Sequence, residues 1–98
     1  MNVVRHVSIR GRVQGVGYRA FVEDEAANRG IEGWVRNRRD GTVEAVFAGS
    51  ADAVAEMVEA CRKGPYGSRV DGIEQREASA DDLAQRGIGR GFAVLPTA

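Results

Sequence analysis

The chain has 98 residues, of which 43% are apolar, and its formal net charge at pH 7 is zero. This length accommodates one small domain, residues 1–98, with a single hydrophobic core. The neutral balance argues against a strongly basic nucleic-acid surface, and no run approaches the ~20 apolar residues of a membrane helix. Cys61 is the only cysteine, so an intramolecular disulfide is excluded.

The first third of the chain predicts a strand, a helix and a second strand. Apolar and polar residues alternate from Val3 to Val13, which is typical of a half-buried strand. Helical spacing begins at Tyr18, and Gly30 is a suitable residue to end that helix. Residues 31–38 are rich in strand formers and predict the second strand.

The middle of the chain predicts a hairpin and a second helix. Arg39-Asp40-Gly41 is a hairpin-turn signal, and residues 42–48 follow as the antiparallel partner strand. Ser50 is a suitable N-cap for a helix that Gly64-Pro65 ends. Four residues at positions i, i+3, i+4 and i+7 give this helix one apolar face: Val54, Met57, Val58 and Cys61.

The last third predicts strands over residues 70–77 and 92–95, separated by a segment of loop character at residues 78–90. The order β-α-β-β-α-β is the split βαβ, or ferredoxin-like, arrangement. We therefore predict an α+β fold in which an antiparallel, four-stranded sheet carries two helices on one face.

The turn between the first strand and the first helix has the composition of an anion-binding site. Gly15 and Gly17 interrupt the strand pattern, and Arg19 follows where the helix begins. Backbone N–H groups and the helix dipole favour an anion there, and a guanidinium binds phosphate or carboxylate bidentately. The alternative is a βα turn that needs glycine only for its backbone angles. The turn by itself does not decide between the two.

Two longer segments carry extended motifs. Residues 11–19 read Gly-Arg-Val-Gln-Gly-Val-Gly-Tyr-Arg and match the pattern G-x-V-Q-G-V-x-[FY]-R. Residues 33–43 read Gly-Trp-Val-Arg-Asn-Arg-Arg-Asp-Gly-Thr-Val and match G-[WY]-V-x-N-x-x-D-G-x-V. With both segments in this order, the chain resembles the acylphosphatase family. The resemblance continues through residues 63–65 and 69–71, so it covers most of the chain to about residue 77.

The resemblance implies an enzyme that hydrolyses the carboxyl–phosphate bond of a small acyl phosphate to a carboxylate and inorganic phosphate. It assigns phosphate binding to Arg19 and positioning of the attacking water to Asn37. The backbone cradle for the phosphoryl group then comprises Gln14, Gly15, Val16, Gly17, Tyr18 and Arg19. The leaving carboxylate has a pKa near ~4 and needs no proton at neutral pH. We expect no metal and no cofactor, because a phosphoryl oxygen can take the proton of the water.

Without the resemblance to the family, the other polar and reactive residues that could take part in catalysis or metal binding also have structural interpretations. His6, the only histidine, lies in the alternating first strand, where a surface or packing role is favoured over catalysis. Cys61 lies on the apolar helix face, which favours a buried structural thiol. Asn37 precedes the hairpin turn, where an asparagine either shapes the turn or offers a neutral amide, both donor and acceptor, beside an anion site. No His, Cys, Asp or Glu cluster has metal-ligand spacing.

Two other functions are compatible with the same topology. The first is a non-catalytic module that binds or senses a small anion, but such a module has no need of the water-positioning Asn37. The second is an RNA-binding domain, which is disfavoured because the expected strand motif is missing. Its base-stacking aromatics would have to be Tyr18, Trp34 or Phe47, and strand aromatics more often pack in the core.

Two features depart from the family pattern. The link at residues 78–90 is extended and glycine-rich, and residues 96–98 continue past the last predicted strand. Both features concern the edge of the predicted sheet, and neither touches the two matched motifs. Because arginines interrupt the N-terminal segment where a signal peptide would be apolar, we expect a cytoplasmic protein. We also expect a monomer without nucleic-acid or membrane partners.

Overall fold

The strands and helices follow the predicted order, with one addition. The computed structural model describes residues 2–87 and 89–98. The strands are β1 (Asn2–Arg12), β2 (Glu32–Asn37), β3 (Val43–Ser50), β4 (Arg69–Glu77) and β5 (Phe92–Val94). The helices are α1 (Tyr18–Asn28), α2 (Ala51–Lys63) and α3 (Ala80–Ala84). The boundaries of α1, β2, α2 and β4 lie within a few residues of those expected from the sequence.

The strands form one sheet in the order β4-β1-β3-β2-β5. The first four pair antiparallel, which confirms the predicted ferredoxin-like sheet. The fifth strand departs from the antiparallel prediction: Phe92 to Val94 pair in parallel with Gly33 to Val35. The chain then continues along β2, where the N–H of Ala98 donates to the carbonyl of Asn37 at 3.0 Å.

One face of the sheet forms the hydrophobic core with α1 and α2. Successive strand residues point to opposite faces, so the alternating apolar residues of β1 and β3 share this face. They are Val7, Ile9, Val43, Ala45 and Phe47, and each is fully buried. The apolar face of α2 packs onto them through Val54, Met57, Val58 and Cys61. Burying each valine, isoleucine, phenylalanine or methionine side chain of this layer contributes about 1.5–3 kcal/mol, so the layer holds the helices in place.

The two long helices are capped as the sequence predicts. In α1, the N–H of Gly30 donates to the carbonyl of Ala27 and that of Ile31 to Ala26, which together form a Schellman motif. In α2, the Ser50 hydroxyl accepts a bond from the N–H of Ala53 at 3.1 Å. Among the helices of the described residues, none is both long and apolar enough to cross a membrane.

The opposite face of the sheet carries α3, which corrects the prediction of a loop over residues 78–90. Ser79 and Asp82 form a reciprocal capping box that begins this five-residue helix. Trp34 points to this face and is 1% exposed, and its indole N–H donates to the Asp82 carbonyl at 2.7 Å. Two helices thus lie on one face, as predicted, and the short third helix covers Trp34 on the other.

Candidate active site

The turn between β1 and α1 depends on glycine for its backbone angles. Gly15 and Gly17 have φ values of 75° and 76°, a left-handed conformation that other residues rarely adopt. A Cβ added at either position would meet no atom within 4 Å, so space does not require glycine there. The turn is therefore shaped by conformation and leaves open room in front of its backbone.

The N-terminus of α1 offers N–H groups and positive charge to this open room. Gly17 is the N-cap residue, no side chain caps the helix, and its first turn carries no acid. The first N–H groups of a helix have no partner inside it. Arg19 is partly buried, and within residues 2–87 and 89–98 its guanidinium has no carboxylate within ion-pair distance. The terminus is thus suited to an anion.

Asn37 lies at the same pocket as Arg19, although 17 intervening residues separate them in the sequence. It is the last residue of β2 and pairs with Val43 of β3. Its Oδ1 atom is buried and has no hydrogen-bond partner among the described residues. Arg19 and Asn37 both line a pocket of about 340 Å³, together with Val13, Gln14, Gly15, Gly17, Tyr18, Ala20, Glu23 and Val94.

The side chain of Gln14 ties the glycine turn to the β2–β3 hairpin. Its Nε2 donates to the carbonyl of Arg38 at 2.9 Å and to that of Thr42 at 2.8 Å. Arg38 follows Asn37 directly, so these two bonds fix the distance between the turn and the asparagine. This bridging role of the Gln14 side chain was not predicted from the sequence, where only its backbone was expected to contribute to the site.

A cluster of charges anchors the strand on either side of Asn37. The Glu44 carboxylate accepts from Arg36 Nε at 2.7 Å, from Arg38 Nη1 at 3.1 Å and from His6 Nε2 at 2.7 Å. Burial by itself raises the pKa of Glu44, but the hydrogen bonds from His6, Arg36 and Arg38 outweigh it and lower the pKa to about 2. Glu44 is therefore ionised at neutral pH and holds both neighbours of Asn37.

Three residues singled out in the sequence have their side chains elsewhere. Val16 belongs to the predicted cradle but does not line the pocket, and its side chain packs against the core. The Tyr18 ring is buried, and its hydroxyl donates to the Cys61 carbonyl at 2.7 Å, which holds the side chain against α2. Cys61 is fully buried on the apolar face of α2, as predicted, and this burial raises the pKa of its thiol to about 12.

The predicted structural interpretations of His6 and the aromatics also hold. His6 lies in the Glu44 cluster and does not line the pocket. Tyr18, Trp34 and Phe47 are at most 1% exposed, so none of them offers a ring for base stacking. Within residues 2–87 and 89–98, no group of three or more His, Cys, Asp or Glu residues is arranged to hold a metal ion.

The pocket also contains residues that the sequence analysis did not identify. Glu23 lies four residues after Arg19 on α1, and this spacing was the available signal for its place on the same helix face. Val94 reaches the pocket because β5 pairs with β2, which no local pattern indicated. A second groove, of about 510 Å³, lies between α1 and α2 and contains none of the predicted site residues; its charged lining residues are Glu25, Arg29, Glu56, Glu59 and Lys63.

The sheet and helices define a domain of the ferredoxin-like class, and the glycine turn and Arg19 give it a pocket suited to an anion. Comparison with known proteins gives the family. The family model described as Acylphosphatase matches residues 5–93. An acylphosphatase of Bradyrhizobium diazoefficiens is 60% identical over 94 residues, which cover 96% of this chain and 95% of that protein. One of Rhodopseudomonas palustris is 56% identical, covering 97% of this chain and 96% of that protein.

Comparison with solved structures gives the same family as these relatives. The crystal structure of acylphosphatase from Bacillus subtilis superimposes with a TM-score of 0.83 at 37% identity, covering 97% of this chain and 99% of that chain. This chain belongs to the acylphosphatase family and is a hydrolase that acts on acid anhydrides. The catalytic interpretation is therefore favoured over the non-catalytic anion-binding module considered above.

Proposed function

We propose that the pocket holds the phosphoryl group of a small acyl phosphate between the glycine turn and Arg19, while Asn37 positions the attacking water. The proposal rests on one observation: the turn, Arg19 and Asn37 line the same pocket. Arg19 and Asn37 are the catalytic residues, and the backbone of residues 14–19 is the cradle.

The phosphoryl group is bound by charge and by backbone donors. Its oxygens accept hydrogen bonds from N–H groups of the turn and of the first turn of α1, where the helix dipole adds to the attraction. The Arg19 guanidinium binds two of these oxygens at once. Phosphoryl transfer through a loose transition state depends chiefly on such positioning and charge stabilisation.

The leaving group makes a general acid unnecessary. A carboxylate with a pKa near ~4 departs as an anion at neutral pH. The water oxygen forms a bond to phosphorus as the bond between phosphorus and the acyl oxygen breaks. A water proton moves to a phosphoryl oxygen, so that the dianionic acyl phosphate and water give a carboxylate and dihydrogen phosphate. The mechanism routes no step through a metal ion.

Asn37 acts on the water rather than on the phosphoryl group. Its amide carries both a donor and an acceptor, so it can fix the position and orientation of a water molecule. Asn37 lines the same pocket as Arg19, which supports a contact between its amide and a water bound there. Gln14 and Glu44 hold the strand end that carries it.

The first test is phosphate release from benzoyl phosphate, a generic acyl phosphate, with EDTA present. We expect full activity in EDTA and poor hydrolysis of phosphate esters, whose alkoxide leaving groups require an acid. Activity that is lost in EDTA and restored by a divalent ion would contradict the proposed mechanism.

The second test replaces Arg19 by lysine, which keeps the charge but loses the planar fork. By analogy with the removal of one oxyanion donor, Arg19→Lys should cost about 2–4 kcal/mol, or about 30- to 1,000-fold in kcat/KM, and should weaken inhibition by inorganic phosphate. A folded Arg19→Lys variant with near-normal turnover would refute the assignment.

The third test separates water positioning from turn conformation. We expect Asn37→Ala to lower kcat while the affinity for inorganic phosphate stays nearly constant, as for an interaction made mainly in the transition state. A lowered thermal midpoint with unchanged kcat would instead mean that Asn37 only shapes the hairpin. A monomeric state, which we also propose, is checked by light scattering on the same preparation.

A further inference from the structure

The pocket has a second wall, which the phosphate-binding groups do not occupy. Glu23 lies about 6 Å further along the α1 axis than Arg19, at a rise of 1.5 Å per residue. Val94 of β5 lies beside β2, paired with Val35 two residues before Asn37. Both line the pocket with Ala20, so a molecule whose phosphoryl group is held at the turn extends toward these three residues.

This wall combines an exposed apolar group with a carboxylate. Val94 is 42% exposed, and among the described residues the only other exposed large apolar side chain is Tyr66. The methyl groups of Ala20 and Val94 offer apolar contact. Glu23 is exposed and, within residues 2–87 and 89–98, has no Arg, Lys or His partner within ion-pair distance.

A carboxylate in a pocket that binds an anion requires an explanation. A negative charge there opposes phosphate binding, and its effect is strongest on whichever part of the ligand lies closest. The Arg19 guanidinium and the helix N-terminus offset that effect at the turn, but no cation among the described residues that line the pocket faces Glu23 on the far wall. Glu23 is therefore placed to act on the acyl end of the ligand.

We propose that Glu23 selects substrates by the charge of the acyl group. Acyl phosphates with an uncharged or cationic acyl group bind over Ala20 and Val94, and those with a carboxylate on the acyl group are disfavoured by like-charge repulsion. This inference rests on the proposed function of the pocket and adds the substrate class to it.

The expected discrimination follows from Coulomb's law. We take a separation of about 6 Å between the Glu23 carboxylate and a carboxylate on the acyl group. Two unit charges at this distance interact by about 0.7 kcal/mol in water and about 1.4 kcal/mol at half that dielectric constant, which corresponds to about 3- to 10-fold in kcat/KM. Because the wall is open to solvent, salt screens the interaction, and the discrimination should shrink as ionic strength rises.

The experiment compares three substrates of the same shape. They are benzoyl phosphate, 4-carboxybenzoyl phosphate and 4-(trimethylammonio)benzoyl phosphate, whose rigid rings carry no charge, a negative charge and a positive charge. The test variant is Glu23→Gln. The control variant is Asp24→Asn, which removes the same charge from the neighbouring exposed residue outside this pocket.

In Glu23→Gln we expect kcat/KM for the carboxylated substrate, relative to benzoyl phosphate, to rise about 3- to 10-fold. The relative value for the cationic substrate should fall, and Asp24→Asn should leave both ratios unchanged. Unchanged ratios in Glu23→Gln overturn the inference. So does an equal change for all three substrates with altered phosphate inhibition, because Glu23 would then act on Arg19.

A binding measurement separates failure of this inference from failure of the proposed function. Calorimetry gives the affinities of benzylphosphonate and 4-carboxybenzylphosphonate, which resist hydrolysis. If no substrate is turned over, the proposed function fails, and the ratio of these affinities in the wild type and Glu23→Gln still tests the acyl wall. An affinity ratio that Glu23→Gln does not change overturns the inference in that case as well.

Discussion

Replacing Gln14 by leucine tests whether the geometry of the site depends on the bridge between the turn and the hairpin. Leucine has a similar size but lacks the amide that donates to the carbonyls of Arg38 and Thr42. Both carbonyls also accept backbone bonds, from the N–H of Gly41 and of Arg38 respectively. Gln14→Leu therefore removes two hydrogen bonds without leaving either carbonyl entirely unpaired.

The expected losses in stability and in turnover of Gln14→Leu can be estimated from these hydrogen bonds. A hydrogen bond contributes a net 0.5–1.5 kcal/mol or so, and the retained backbone bonds place the loss for two bonds at about 1–2 kcal/mol in the free energy of unfolding. Turnover should be affected more strongly than stability, because a displacement of about 1 Å in a positioned group such as Asn37 lowers rates up to about 100-fold. We expect kcat to fall about 10- to 100-fold.

The assay measures kcat, inhibition by inorganic phosphate and urea unfolding on one preparation. Ser68→Ala is the matched control, because the Ser68 hydroxyl donates at 2.7 Å to the Pro65 carbonyl, which also accepts a backbone bond and lies outside the pocket. Equal stability losses in the two variants, with kcat unchanged in Gln14→Leu, would refute the idea that this bridge positions Asn37.

Two further predictions concern the sheet. Glu44→Gln should lower the free energy of unfolding at pH 7 by about 1–3 kcal/mol. The pKa of Glu44 falls from an ordinary 4.5 to about 2 on folding. The difference in free energy of unfolding between the wild type and Glu44→Gln should therefore shrink as the pH falls from 4.5 to about 2. A difference in urea unfolding that does not depend on pH would contradict this prediction. At Gly33, with φ 143°, an added Cβ would overlap the Val46 carbonyl. Gly33→Ala should therefore lose at least about 3 kcal/mol. Gly41→Ala, with open space around its Cβ, should lose about 1–2 kcal/mol; equal losses in the two variants would contradict the steric argument.

The fold was largely predictable because its signals are local. Alternation defined β1, helical spacing defined α2, and Gly30 and Ser50 act as the caps that their positions indicated. The helix α3 was missed because five residues are too short for apolar periodicity. Its capping box, Ser79 with Asp82, was the only signal, and such pairs are also common in loops.

The site was predictable only where the sequence motif and the chemistry coincided. Arg19 and the glycine turn are contiguous in sequence, and Asn37 belongs to the second matched segment. Val94 was not predictable, because its place depends on parallel pairing between segments nearly sixty residues apart, and pairing partners leave no local pattern. The bridge made by Gln14 was hidden in the same way, since its acceptors are backbone carbonyls of a distant hairpin.

The pairing of β5 with β2 has a consequence for solubility. Without it, the strand that ends at Asn37 would be an open edge, with unpaired backbone groups available to a strand from another molecule. The short β5 and the segment up to Ala98 occupy that edge, and Pro96 makes the new edge a poor template. The opposite edge, β4, is instead guarded by charged side chains. Substitutions that detach β5 should therefore promote aggregation of the chain through the edge beside Asn37.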